Sequence, residues 1–260
     1  MNWLIRRIAA FTYRNYLFAV KNFFTFAEIL FWPVIQIISI GIMGGFLKLT
    51  PDLKYFLLTG AIMGGVLQVA QLDVAYGFLY DVWSKSVKQT FMAPVKTYDY
   101  VAGSWAFGIV RGTLSFLMLV LIARLAFGFQ LPPLPVLAFT LAGVFLSALI
   151  LGMTVQLFIL LFGQRIDIIA WIVAVLMMLV CGIYYPVTYL PAALLKVSAL
   201  IPLTYFLEYF RTGYGFPLTF THPLLKGFGL SAAYAFLVFA AVAGAYQRAR
   251  RTGMILRLSE

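Results

Sequence analysis

The sequence predicts an all-α integral membrane protein of about six spans. Three observations carry this. The 260 residues are 63% hydrophobic and only 10% charged, whereas a soluble domain is about a quarter charged. The apolar residues fall in long unbroken runs, and each run is long enough for the roughly 20 residues a helix needs to cross a bilayer. The alternation of a membrane β-barrel is missing from those runs. The net charge of +11 would suggest nucleic acid in a soluble protein. Here the basic residues sit in the gaps between apolar runs, which reads as membrane topology and not as a nucleic-acid surface.

Taken in order, residues 2–21 place Arg6, Arg7, Arg14 and Lys21 in one helical sector, with Trp3, Leu4, Ile8, Phe11 and Phe18 mostly elsewhere. This predicts an interfacial amphipathic helix resting on membrane lipids. A signal peptide fits less well, because Arg14 and Lys21 break the apolar stretch and no small-residue cleavage site follows. Spans are expected at about 23–47, with Pro33 inside, then 55–79, 100–127 and 136–162. A fifth is expected from Ile168 to Tyr185-Pro186, and a last at about 227–247. Residues 186–226 are apolar but hold Pro186, Pro191, Pro202, Pro217 and Pro223, which predicts a re-entrant hairpin of short helices. The chain reads as one domain over 1–260.

The positive-inside rule sets the orientation. One side collects the N-terminal cations, Lys85, Lys88, Lys96, Arg165, Arg248, Arg250, Arg251 and Arg257. The other collects Lys48, Lys54, Arg124, Lys196, Arg211 and Lys226, half as many. Both termini are therefore expected in the cytoplasm, at the plasma (inner) membrane, with 186–226 on the far side.

No phosphate loop, metal-ligand cluster or catalytic set stands out. Cys181 and His222 are each alone in their type, so neither a disulfide within the chain nor a metal site is expected, and Cys181 reads as packing. Uphill work would then draw on another polypeptide or an ion gradient. The stretch from Asp81 to Tyr100 is too rich for a plain connection. Trp83, Val87, Phe91 and Met92 recur at helical spacing before Pro94. That pattern predicts an amphipathic helix over 81–96, seated either in a partner's groove or on headgroups.

Charges within spans usually mark pathways or pairs. Asp73 and Arg111 lie on spans that flank one connection, about 7 Å apart in depth. A structural pair is the first expectation and a substrate contact the second. Glu28, at the mouth of the first span, is a candidate gate or anchor. Gln36, Gln68, Gln71 and Gln156 are expected to bond from helix to helix. Gly41/Gly45, Gly60/Gly64 and Gly108/Gly112 have the spacing of close helix packing, expected within the chain.

Two segments resemble the type-2 ABC exporter permeases. Phe91-Met-Ala-Pro-Val-Lys-Thr-Tyr-Asp-Tyr-Val-Ala-Gly is similar to that family's cytoplasmic Pro segment. The run from Cys181-Gly-Ile-Tyr-Tyr-Pro through Leu190-Pro and Ile201-Pro-Leu-Thr-Tyr to Glu208-Tyr-Phe-Arg resembles its longer and more specific signature. The resemblance implies a permease that dimerises, most simply as a homodimer, and is driven by a separate nucleotide-binding subunit carrying ATP and Mg. It implies a coupling role for Asp81, Trp83, Lys85, Lys88, Phe91, Met92 and Pro94. It also implies a re-entrant hairpin containing Tyr185, Pro186, Pro191, Pro202, Glu208 and Arg211. The chain departs from the family at Lys85-Ser-Val-Lys-Gln-Thr, where Lys88 stands near a usual acid, so the partner surface should differ in charge. Drug, nodulation-factor and polysaccharide exporters share this plan. An ion-coupled secondary transporter is the alternative, but it calls for mid-membrane acids and inverted repeats, and neither is visible.

Overall fold

A computed structural model describes residues 3–21, 23–92, 95–163 and 168–251. Among them are ten α-helices: α1 (Trp3–Lys21), α2 (Phe23–Phe46), α3 (Pro51–Trp83), α4 (Val87–Met92), α5 (Thr97–Phe127), α6 (Leu134–Phe162), α7 (Ile169–Val180), α8 (Ala192–Ser198), α9 (Pro202–Thr212) and α10 (Pro223–Arg251). A short 3₁₀ turn, Val187–Tyr189, precedes α8.

The helix ends follow local chemistry. Pro51 opens α3 at a position where its missing N–H is no loss, and Asp52 complements the dipole of that first turn. Gly128, at φ 69°, closes α5 with N–H bonds from Gly128 to Arg124 and from Phe129 to Ala123. This is the left-handed cap that glycine favours. Pro202 opens α9 in the same way as Pro51 opens α3.

α3 is the axis of the fold. It packs against α2, α5 and α6 and touches α7 and α9, and almost every side chain from Phe56 to Val82 is buried. Two apolar cores are strung along it. One lies at the hairpin end around Leu58, Met63, Leu119, Val144, Ile183 and Phe210. The other lies at the α1 end around Phe11, Leu72, Phe78, Tyr100, Met153 and Val242. With neighbours on all sides, α3 needs no polar face. The outer helices do expose apolar side chains, including Leu114, Leu117, Leu121 and Leu125 of α5.

Among the described residues four helices are long and apolar enough to cross a membrane, α3, α5, α6 and α10, or five if the bent pair of α8 and α9 is one span. By length and composition this is fewer than the six spans expected. The apolar part of α2 is Leu30–Phe46, and α7 has 12 residues, about 18 Å at helical rise against a hydrocarbon core of about 30 Å. α7 stops at Val180 and not at Tyr185, because Gly182 turns the chain at φ 70°. The hairpin expectation takes shape in α8 and α9, which are bent by 88° across the break between them.

Close approach explains one member or more of each glycine pair. A Cβ on Gly60 would lie 1.8 Å from the Ile183 carbonyl oxygen, and one on Gly108 would lie 2.9 Å from the Ala70 carbonyl oxygen. These are contacts within the chain, as the spacing suggested. Gly60→Ala is expected to lower stability by about 1–3 kcal/mol through overpacking. Gly45→Ala is the control, since a Cβ there meets nothing within 4 Å. Thermal unfolding in detergent should separate the two, and equal melting temperatures would refute the close-approach account.

Candidate functional site

The stretch expected as one amphipathic helix over 81–96 is divided. α3 runs on through Asp81 to Trp83, the chain turns at Ser84–Ser86, and α4 holds only 6 residues. The turn follows from its residues. Ser84 Oγ donates to the Tyr80 carbonyl at 2.7 Å, and Lys85 takes φ 54°. The Lys85 N–H donates to the Val82 carbonyl and the Ser86 N–H to the Asp81 carbonyl. A serine side chain competing for helix carbonyls beside a left-handed residue ends a helix. Trp83 therefore belongs to α3. Its ring is half exposed and packs edge-on against Tyr76 and Tyr80, with centroids 5.3 and 5.9 Å away. Met92 is 87% exposed and Lys85 is exposed. The Lys88 and Phe91 side chains and the whole of Pro94 lie outside the described residues.

Asp81 departs from an exposed coupling role. It is buried, and Arg14 Nη1 donates to both of its oxygens at 2.7 Å. Arg14 Nη2 also donates to the Gly77 carbonyl at 2.9 Å. A second pair joins Arg7 Nε to Asp99 Oδ2 at 3.4 Å, and Arg7 Nη2 donates to Tyr98 Oη at 3.0 Å. Asn15 donates to Ser104 Oγ at 3.0 Å and Thr12 to the Gly103 carbonyl at 3.1 Å.

The cations expected on one exposed face of α1 are therefore divided. The face holding Arg7, Phe11, Arg14, Asn15 and Ala19 docks on α3 and α5, while Trp3, Ile5, Tyr13, Tyr16 and Val20 point outward. Arg6 and Lys21 remain exposed. The signal for the pairs was present: two arginines seven residues apart on one face, and two aspartates flanking the α4 segment. Spacing alone could not say that they meet.

Asp73 and Arg111 do meet. Arg111 Nη1 donates to Asp73 Oδ1, both side chains are buried, and the guanidinium lies 5.5 Å from the Phe107 ring centroid. The approach of α3 and α5 at Gly108 brings them within reach. Three of the four amides also bond between elements, and Gln68 makes no such bond among the described residues. Gln71 donates to the Ala170 carbonyl at 3.2 Å, Gln156 to the Val74 carbonyl, and Gln36 to Tyr184 Oη. Glu28 lies on α2, with its side chain outside the described residues.

In the hairpin region Arg211 is a clasp and not a flanking surface charge. It is buried, its two terminal nitrogens donate to the Gly182 and Ile183 carbonyls at 2.7 and 2.6 Å, and it lies 3.5 Å from the Phe56 ring centroid. Glu208 Oε2 accepts from the Phe220 N–H at 3.2 Å, which ties α9 to the chain ahead of α10. Tyr185 Oη donates to the Leu179 carbonyl. Pro186 and Pro191 stand at the entries of the 3₁₀ turn and of α8, and Pro202 opens α9. The signature residues are placed where they shape the backbone.

Long apolar helices around a buried axis, an ion pair within the bundle and a bent pair of short helices at one end define a multi-pass helical membrane protein. The chain matches the ABC-2 type transporter family over residues 8–214 and belongs to that family. It is 28% identical over 199 residues to the inner membrane transport permease YadH of Escherichia coli K12, covering 75% of this chain and 73% of the relative. YadH of Shigella flexneri matches to the same extent. An uncharacterized protein of Archaeoglobus fulgidus is 44% identical over 45 residues, 17% of this chain and 70% of that one. The chain is accordingly a membrane transport component of an ABC system, and membership implies an ATPase partner.

Proposed function

We propose that this chain is the permease subunit of an ABC exporter that moves an amphipathic, lipid-linked or polysaccharide substrate out of the cytoplasm. A separate ATPase drives it, and two copies of the permease make the pathway. In this reading α2 and α7 join the four long helices as tilted or locally thinned spans, both termini are cytoplasmic, and α8 and α9 close the far side. The observation that carries the proposal is the pairing of family membership over 8–214 with an exposed Met92 on the short helix α4 and a half-exposed Trp83 at the end of α3. Exposed apolar side chains of this kind need a groove to cover them, and a nucleotide-binding subunit is the partner that membership supplies.

The test is co-purification with the ATPase followed by measurement of its turnover in nanodiscs. Trp83→Ala combined with Lys88→Glu is expected to lower ATP turnover by the complex several-fold while the permease still folds. If the complex assembles and turns over ATP unchanged, α4 is not the coupling element.

A further inference from the structure

α1 holds both hinges of the α4 segment. On the entry side, the Asp81 carboxylate accepts from Arg14 at 2.7 Å and, on the same Oδ1, from Ser86 Oγ at 3.1 Å. Ser86 is the residue just before α4. On the exit side, Asp99 Oδ2 faces Arg7 Nε at 3.4 Å and accepts from the Lys96 backbone N–H at 3.1 Å. Lys96 lies in the connection between α4 and α5. Each carboxylate therefore has one contact on α1 and another on a hinge. Arg7 and Arg14 are two helical turns apart on the docked face, roughly 10 Å at helical rise, and so they reach both ends of the segment from one rigid helix.

Attachment of α1 does not depend on these arginines alone. Phe11 packs edge-on against Tyr100 at 5.3 Å, a Cβ on Gly103 would lie 2.4 Å from the Phe11 Cβ, and Thr12 and Asn15 bond to α5. The arginines do something different, because they join α1 to the residues that flank α4. A six-residue helix would otherwise absorb a push by bending where it enters and leaves, as hinge residues do. Transmission needs a contiguous set of packed and bonded groups.

We infer that Arg7 and Arg14 are positioning residues of the coupling step: they clamp α4 to α1, so that a displacement of α4 carries α1 with it instead of flexing the connections. The inference rests on the assignment of α4 as the coupling element. The outward aromatic face of α1 would let it slide along the membrane surface as this happens.

The experiment uses the permease–ATPase complex in nanodiscs, in a Cys181→Ser background, with spin labels at Tyr16→Cys and Gln89→Cys. The native side chains at both positions are exposed. The α1–α4 distance is expected to be single and narrow, both without nucleotide and with ATP-vanadate. Arg7→Gln with Arg14→Gln should broaden it and lower ATP turnover several-fold. Arg14→Lys keeps the charge but cannot grip the carboxylate and Gly77 together, so it should broaden the distance less; it also serves if the double variant does not assemble. Thr12→Val removes a docking bond of α1 without touching the clamp, and should leave the distance narrow whatever it does to the melting temperature. An unchanged distance and turnover in the arginine variants would overturn the clamp. A benzophenone on Gln89→Cys of the otherwise unaltered complex should crosslink to the ATPase. Its failure to do so overturns the α4 assignment, and the clamp falls with it.

Discussion

Arg111→Leu is expected to be the most damaging single substitution in the bundle. It leaves Asp73 buried without the guanidinium it contacts. Removing one member of a buried ion pair costs about 3–5 kcal/mol, a large part of a total stability of about 5–15 kcal/mol. The penalty arises because a carboxylate in a water-free interior has lost both hydration and counter-charge. Asp73→Asn combined with Arg111→Gln should recover most of the loss, since two neutral groups can bond to one another. The check is a double-mutant cycle on melting temperature in detergent. A pair gives a large coupling term. A residue kept for substrate contact would instead leave the melting temperature alone while transport failed, and the double variant would rescue nothing.

Arg211→Leu is expected to release the turn after α7. Two buried carbonyls, those of Gly182 and Ile183, would lose their donors. An orphaned buried acceptor costs about 1–3 kcal/mol. The stacking on Phe56 adds up to about 2 kcal/mol when desolvated. Arg211→Lys should recover only part, because an ammonium is a point charge and does not present the fixed fork that reaches two carbonyls. Cys181 is the reporter. It is buried next to Gly182, so its reaction with a maleimide should accelerate strongly in Arg211→Leu and moderately in Arg211→Lys. Labelling at the original rate would show that something other than Arg211 holds this turn.

These two side chains were legible in the sequence to different degrees. Asp73 and Arg111 could be paired in advance, because flanking a single connection places them at similar depth on neighbouring helices. Arg211 was counted among the flanking cations, since a basic residue near an apolar segment normally lies in headgroups. Nothing local marks the carbonyls it serves, which are 29 and 28 residues away in the chain. The α4 segment shows the same limit. The helical spacing of Trp83, Phe91 and Met92 was real, but Ser84 and Ser86 broke the helix. The buried role of Asp81 became visible only when Arg14, 67 residues earlier, was seen against it.

The sequence by itself determined the class of the molecule. Apolar runs with few charges specify a bilayer as solvent, and in that solvent backbone groups must be satisfied within helices or a closed barrel. It determined most helix ends as well, because prolines, left-handed glycines and capping residues act over a few residues. The tertiary structure decided which charges face one another and that Arg7 and Arg14 of α1 turn inward. An ion pair between helices depends on how the helices are rotated and how closely they approach. That depends in turn on glycine contacts such as Gly60 on Ile183 and Gly108 on Ala70: the glycine spacing marks where a close approach can occur, but not the partner, which lies far away in the chain.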